Sequence, residues 1–193
     1  LVGSEMCIRD SVWLDAGAFG KGEALDRLLH LEGVGPVQPW IVDLGGQIMV
    51  NGMSKEGWPI ALAHPQRRDE AVAEIHLTEG SLATTGGSER DVSLEGHRVG
   101  HILDPRTGLP ITRKASVAVW HRSALVADVL STALYVMGVE EGLSWAETRG
   151  VAACFSVPED EVVDQNGTAR MGEVVLQPTT NFSRCFLRMS GSC

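Results

Sequence analysis

The chain has no surplus of basic residues. Its 193 residues carry 16 Lys and Arg against 25 Asp and Glu, a formal net charge of −9. Non-specific nucleic-acid binding needs a basic surface that displaces condensed counterions, so nucleic acid is not an expected partner. An anionic small ligand stays open, because a few local groups and a metal suffice to hold one. Long hydrophobic runs are also missing: no apolar stretch approaches the roughly 20 residues of a membrane-spanning helix. The four cysteines, Cys7, Cys154, Cys185 and Cys193, include no C-x-x-C pair, which argues against a structural zinc site. Cys154 lies in an apolar run, where a small buried thiol is the expectation. No signal-peptide pattern opens the chain, and that excludes nothing about targeting. What remains, 44% hydrophobic and 21% charged, is an ordinary globular mix, long enough for one sizeable domain.

Residues 1–11 do not share the pattern of the rest of the chain. They resemble a translated adaptor and are expected to be a non-native tail, with a partial domain over 12–193; a genuine short arm is the alternative. From there the spacing predicts an α+β fold, mainly antiparallel sheet with packed helices. A strand ends near Asp15, and the glycine-rich turn through Gly17, Gly20 and Gly22 leads into a helix over 21–32. Ala24, Leu25, Leu28 and Leu29 are at helical spacing in it, and Gly33 and Gly35-Pro36 stop it. Free N–H groups at such a helix start suit an anion. Strands are expected over 40–44 and 48–50, and Asn51-Gly52 signals a hairpin to a strand over 58–63. Further strands are expected over 72–77 and 81–85, then a second hairpin around Glu95-Gly96.

The stretch from His101 to Gly108 holds an imidazole, a carboxylate and a guanidinium within one bend. Pro105 fixes its own φ, biases Asp104 towards extended geometry, and Gly108 is suited to close the turn. A hairpin corner whose polar groups only satisfy the turn is the plain alternative. Thr84 and Thr85, just before Gly86 and Gly87, are either a ligand wall or ordinary strand threonines. A strand over 115–120 precedes the clearest helix, 124–137. Val126, Leu130, Ala133, Leu134 and Met137 form its apolar stripe, and Gly138 caps it. A second helix over 140–148, a buried strand over 151–157 and a hairpin at Asn166-Gly167 into a strand near 174–176 complete the pattern. The polar segment after Pro178 is expected to fray. Asp128 and Thr132, four apart on a helix, share a face. They are either two hard oxygen ligands for magnesium or a first-turn acid beside a surface hydroxyl.

Three motifs occur in order: Asp15-Ala16-Gly17-Ala18-Phe19-Gly20-Lys21-Gly22, then the His101 stretch, then Ala127-Asp128-Val129-Leu130-Ser131-Thr132. With Leu44-Gly45-Gly46 and Ala83-Thr84-Thr85-Gly86 between them, they resemble the ApbE family of flavin transferases over roughly residues 13–157. The resemblance implies a magnesium-dependent enzyme that takes FAD, attaches FMN to a threonine hydroxyl of a partner protein and releases AMP. Carried over by motif, the Ala18 carbonyl, Asp128 and Thr132 would hold Mg2+. Asp15 and Lys21 would contact FAD, Leu103 would line its pocket, and Thr85 and Gly86 would form a wall of it. His101 is the candidate base, since an imidazole titrates near neutrality. The other histidines have no such motif context and are expected at the surface or in packing. Gln47 and Ser131 depart from the family pattern, which often has acids at these positions, and that could weaken the metal site. The resemblance also implies a fragment, because family members carry a preceding stretch that supplies part of the flavin pocket. It points to a bacterial envelope or periplasmic setting, with the cytoplasm also open and membrane contact arising only through an N-terminal lipid anchor. Hydrolysis of FAD to FMN and AMP, and flavin carriage without turnover, are the other two readings.

Overall fold

The computed structural model describes residues 15–31, 39–52, 56–87, 92–94, 97–159, 169–171 and 174–187. The expected tail over 1–11, the Gly33 and Gly35-Pro36 stop signals and the Asn166-Gly167 hairpin lie outside the described residues. The fold is α+β. Helix α1 spans Gly20–Leu28, α2 Ala124–Met137, α3 Val139–Thr148 and α4 Thr180–Phe186. The strands are β1 Trp40–Leu44, β2 Gln47–Asn51, β3 Trp58–Ala63, β4 Ala71–Leu77, β5 Gly80–Gly86, β6 Val92–Leu94, β7 His97–Val99, β8 Ser116–His121, β9 Ala152–Pro158, β10 Ala169–Met171 and β11 Val174–Pro178. Seven of them form one sheet in the order β1-β2-β5-β8-β9-β11-β10, antiparallel throughout.

Strands β8 and β9 are buried along almost their whole length because both faces of the sheet are covered. Side chains alternate across a strand, so Val117, Val119, Ala153 and Phe155 point to one face, where they pack with Leu134 and Tyr135 of α2 and Ala146 of α3. Ala118, Ala152 and Cys154 point to the other, where they meet Ile60, Leu62 and Ile75 of the separate β3–β4 pair and Phe182 of α4. A third, smaller cluster sets Leu25 of α1 against Met49 and Ala124. Helices α1 and α2 thus lie together on one face.

Four expectations change. Asn51-Gly52 does not turn β2 back onto β3. Both edges of β2 are already taken, by β1 and β5, and β3 pairs with β4. The tight hairpin is at Gly45-Gly46 between β1 and β2, where both glycines have positive φ, +60° and +84°, as a two-residue I′ turn requires. Helix α1 stops at Leu28 rather than running to 32: Leu29 and His30 donate to the carbonyls three residues back, a tightened final turn. The buried face of α2 is Ala124, Ala127, Asp128, Ser131, Leu134 and Tyr135, rotated from the expected stripe because it includes a carboxylate and a hydroxyl. The segment after Pro178 folds as α4. Thr179 accepts from Phe182 N as its cap, accepts from Ala153 N and donates to Val151 O, which ties the helix to β9. The strands that flank the expected Glu95-Gly96 hairpin, β6 and β7, pair antiparallel, while Glu95-Gly96 itself lies outside the described residues. Among the described residues, no helix is long and apolar enough to cross a membrane.

Candidate active site

Helices α1 and α2 start beside each other, and each start is capped by an aspartate of the other. A helix leaves its first N–H groups without intrahelical partners. On α1 the Gly22 N–H donates to Asp128 Oδ2 at 2.9 Å, and the Lys21 ammonium donates to Asp128 Oδ1 at 3.0 Å. On α2, Asp26 accepts from Ala124 N at 2.7 Å, Leu125 N at 3.0 Å and the Ser123 hydroxyl at 2.6 Å. Ser123 also caps its own helix by accepting from Val126 N. The helices touch closely enough to require Gly22: a Cβ there would lie 2.6 Å from Leu125 Cα. Gln47, fully buried, donates from Nε2 to Ala124 O and to Ser81 Oγ. It thereby fastens the start of α2 to the sheet. Its amide oxygen is buried with no partner among the described residues.

Asp128 is 2% exposed. A carboxylate this buried stays charged only if paired and hydrogen-bonded, and Lys21 and Gly22 supply both. One turn further along α2, three hydroxyls gather. Ser131 Oγ donates to Asp128 O at 2.9 Å, so the Thr85 hydroxyl is the donor in the 2.8 Å contact between Thr85 and Ser131. Thr85 Oγ1 also lies 3.5 Å from Thr132 Oγ1. Lys21, Gly22, Thr85, Asp128, Ser131 and Thr132 are therefore brought into one neighbourhood. Gly86 follows Thr85 on β5, against Ser116 of β8. Thr84 points away and is exposed. Ala18 is half-buried in the turn before α1. Asp15 is exposed and accepts the Gly17 N–H at 2.5 Å, which shapes that turn.

His101 and Leu103 are carried by a separate turn, and both are exposed. Ile111 N donates to Ile102 O, Leu103 bridges Pro110, and Gly108 closes the bend with φ +71°. The Arg106 guanidinium grips Asp104 with bonds of 2.9–3.2 Å and holds the Asp104 carboxyl below the usual carboxylate range. It also reaches Val136 O at the end of α2 and Glu141 of α3, each at 3.4 Å. Arg106 therefore braces the turn. The tip of this turn sits at the C-terminal end of α2, whereas Asp128 lies near its start. Of the other histidines, His64 is buried and accepts the Gln66 and Arg67 N–H groups, while His30 and His76 are exposed.

The donor set fits a hard cation. Among the described residues no group of three or more His, Cys, Asp or Glu that could hold a metal is present. One carboxylate beside hydroxyl oxygens suits magnesium, which takes few protein ligands. Asp128 Oδ1 already holds a cation, the Lys21 ammonium. Asp26, the acid that follows the first motif in the sequence, is the residue whose capping role sequence reasoning missed. The only signal available was an acid one turn after a Lys-Gly pair at a helix start.

Residues 4–155 match the family model described as the ApbE family. The chain is similar to the FAD:protein FMN transferase of Klebsiella pneumoniae (strain 342), 36% identical over 154 residues, covering 78% of this chain and 44% of that protein. The enzyme of the same name from Vibrio cholerae serotype O1 is 33% identical over 155 residues, covering 78% and 46%. The chain thus spans a little under half the length of these curated relatives. Among solved structures, the fold resembles the Thermotoga maritima ApbE protein with a TM-score of 0.75 at 28% identity, covering 92% of this chain and 55% of that one. It also resembles the apo flavinyl transferase ApbE of Pseudomonas stutzeri, with a TM-score of 0.65 at 31% identity, covering 90% and 51%.

Proposed function

The chain belongs to the ApbE family, and from that premise we propose that it is part of a magnesium-dependent FAD:protein FMN transferase that moves FMN onto a threonine hydroxyl of an acceptor protein. One observation carries this reading. A buried carboxylate, an ammonium and a group of hydroxyls converge where two helix starts meet. That is a place for a cation and a diphosphate side by side. The other motif turn is anchored further along the same helix. Eight residues separate Asp128 from Val136, or ~12 Å at 1.5 Å rise per residue. A dinucleotide is an elongated ligand, and a phosphate end at Asp128 with a ring end at the Leu103 turn uses both.

In this reading the acceptor threonine oxygen attacks the phosphorus on the flavin side of the diphosphate. The bond from that phosphorus to the bridging oxygen breaks, AMP leaves with that oxygen, and FMN stays on the threonine as a phosphoester. Asp128, Thr132 and the Ala18 carbonyl would hold Mg2+. When bound, it supplies the positive charge that phosphoryl transfer requires on the transferred and leaving phosphates. Lys21 pairs with a phosphate oxygen, and Asp15 positions FAD from the neighbouring turn. Thr85 and Gly86 wall the pocket, and Leu103, 56% exposed, offers an apolar face to the flavin ring. His101, exposed on the same turn as Leu103, is the proposed acceptor of the threonine proton, a role that requires the bound acceptor to bring its hydroxyl and the imidazole together at the diphosphate.

The test is to incubate the chain with FAD, MgCl2 and a threonine-containing acceptor. The acceptor is followed by mass and AMP by chromatography. AMP that appears only with acceptor, together with an acceptor heavier by FMN, supports transfer. AMP without acceptor would mean hydrolysis instead, and bound FAD without AMP would mean a carrier. Asp128→Ala should remove the magnesium-dependent signal. Turnover that persists in excess chelator would overturn the metal assignment.

A further inference from the structure

We infer that Lys21 occupies on Asp128 the place of the divalent cation, so that the cation and the FAD diphosphate bind this site cooperatively. The inference rests on the proposed transferase function, which it deepens by giving Lys21 two successive partners.

Asp128 is almost wholly buried and needs a cation in every state of the site, because an unpaired carboxylate at that depth is strongly unfavourable. Its two oxygens differ. Oδ2 takes a backbone N–H, Gly22, on a helix that cannot shift without pulling Leu25 from its packing. Oδ1 takes an ammonium on a flexible four-carbon stem. The Lys21 side chain is 28% exposed, against 3% for that of Asp128, so Lys21 has a way out and Asp128 has none. The stem runs beside the Gly45-Gly46 turn. A Cβ at Gly45 would sit 3.9 Å from Lys21 Cδ, and one at Gly46 would meet nothing within 4 Å. Two adjacent glycines therefore leave the lysine room to swing.

A divalent cation arriving at Oδ1 meets the ammonium as a like charge at contact distance, and the two cannot share the oxygen. The ammonium must leave, and in flavin-free protein it has only water to go to. With FAD present, the displaced ammonium has the diphosphate as its new partner while the cation neutralises the same phosphates. Each ligand therefore eases the entry of the other, and the coupling is reciprocal by linkage. Lys21 opposes the cation when it comes alone and favours it when it comes with FAD.

The experiment is calorimetric titration of MgCl2 into flavin-free chain and into chain saturated with FAD, for the parent, Lys21→Met and Asp128→Asn. In the parent, FAD should tighten Mg2+ binding on the order of tenfold or more. Lys21→Met should bind Mg2+ without FAD on the order of tenfold more tightly than the parent and should lose the coupling. Asp128→Asn should lose Mg2+ binding in both settings. Flavin-free Lys21→Met that binds Mg2+ no better than the parent, while Asp128→Asn abolishes binding, overturns this inference and leaves the metal site standing. A parent that takes up no Mg2+ even with FAD overturns both. Because Lys21→Met strips a partner from a buried carboxylate, its melting temperature is a second readout. MgCl2 should raise it more than it raises the parent's, since at a given concentration a ligand that binds the folded state more tightly stabilises it more. A variant that melts low and is not recovered by MgCl2 counts against the inference.

Discussion

Replacing Asp26 with alanine should destabilise the protein through the start of a helix to which Asp26 does not belong. Its carboxylate accepts from Ala124 N, Leu125 N and Ser123 Oγ, at 2.7, 3.0 and 2.6 Å. Hydrogen bonds to a charged acceptor are worth about 1.5–3 kcal/mol each, and loss of a cap costs about 0.5–2 kcal/mol. The three bonds share one carboxylate and are only part-buried, and Ser123 still caps Val126 after the substitution. The cost should therefore be about 2–4 kcal/mol, well short of three full bonds. Asp26→Asn keeps one acceptor oxygen and loses the charge, so it should fall between. Urea unfolding reads this directly, as a lower midpoint with an unchanged slope. The reciprocal geometry makes a sharper demand. Asp26 and Asp128 each hold the other's helix start, so Asp26→Ala combined with Asp128→Asn should depart from additivity by about 0.5–3 kcal/mol. A loss below about 0.5 kcal/mol for Asp26→Ala, the range of ordinary surface substitutions, or strict additivity in the double variant, would refute the idea that the two aspartates form one unit.

Gly22→Ala adds a methyl against the α2 backbone at Leu125 and Ala124. Overpacking of about 1–3 kcal/mol should outweigh the gain of ~1 kcal/mol in helix propensity, and a thermal melt that rises instead would deny the close approach. Burial pushes the Cys154 thiol up to about 12. In folded protein at pH 8, iodoacetamide should therefore label Cys185, which is exposed, and spare Cys154, as peptide mapping would show. The same shift sets a sign. The unfolded chain releases that proton near ~8.5 while the folded one keeps it, so this group's contribution to stability is present below that pH and declines as pH rises towards about 12. Urea midpoints compared between Cys154→Ala and the parent across that window measure it.

Much of the fold was legible because its signals are local and periodic. Helix α2 runs as expected from Ala124 to Met137, with the expected Gly138 after it. Strands β1, β4, β5 and β8 fell within a residue or so of the expected ranges. The pairing of β3 was not legible. Asn51-Gly52 and Gly45-Gly46 are both turn dipeptides, and choosing between them depends on which edges of β2 are free, a property of the whole sheet. Helix α4 was hidden for a similar reason. Its anchor is Thr179, whose hydroxyl bonds to Ala153 of β9 and to Val151 just before it, 26 and 28 residues away in the chain. The segment itself contributes little periodicity to read.

The site divides along the same line. The i, i+4 spacing of Asp128 and Thr132 was visible, but it left a first-turn surface acid as an alternative, and Asp128 in fact lies beyond the first turn on the buried face of α2. A stripe drawn through Val126, Leu130 and Ala133 treats Asp128 and Ser131 as outward residues because hydropathy counts them as polar. The physical reason they point inward lies a hundred residues upstream. The Gly22 N–H is a first-turn donor without an intrahelical partner, Asp128 accepts it, and the missing Cβ of Gly22 lets α2 come close enough to do so. Burying Asp128 is tolerable because α1 brings that donor together with the Lys21 ammonium. The start of α2 is in turn held by Asp26 of α1. Each helix start donates hydrogen bonds to an aspartate of the other helix, so those residues read as unremarkable in each segment taken alone. The chemistry the junction can support, a buried anion whose cationic partner is able to leave, belongs to the pair.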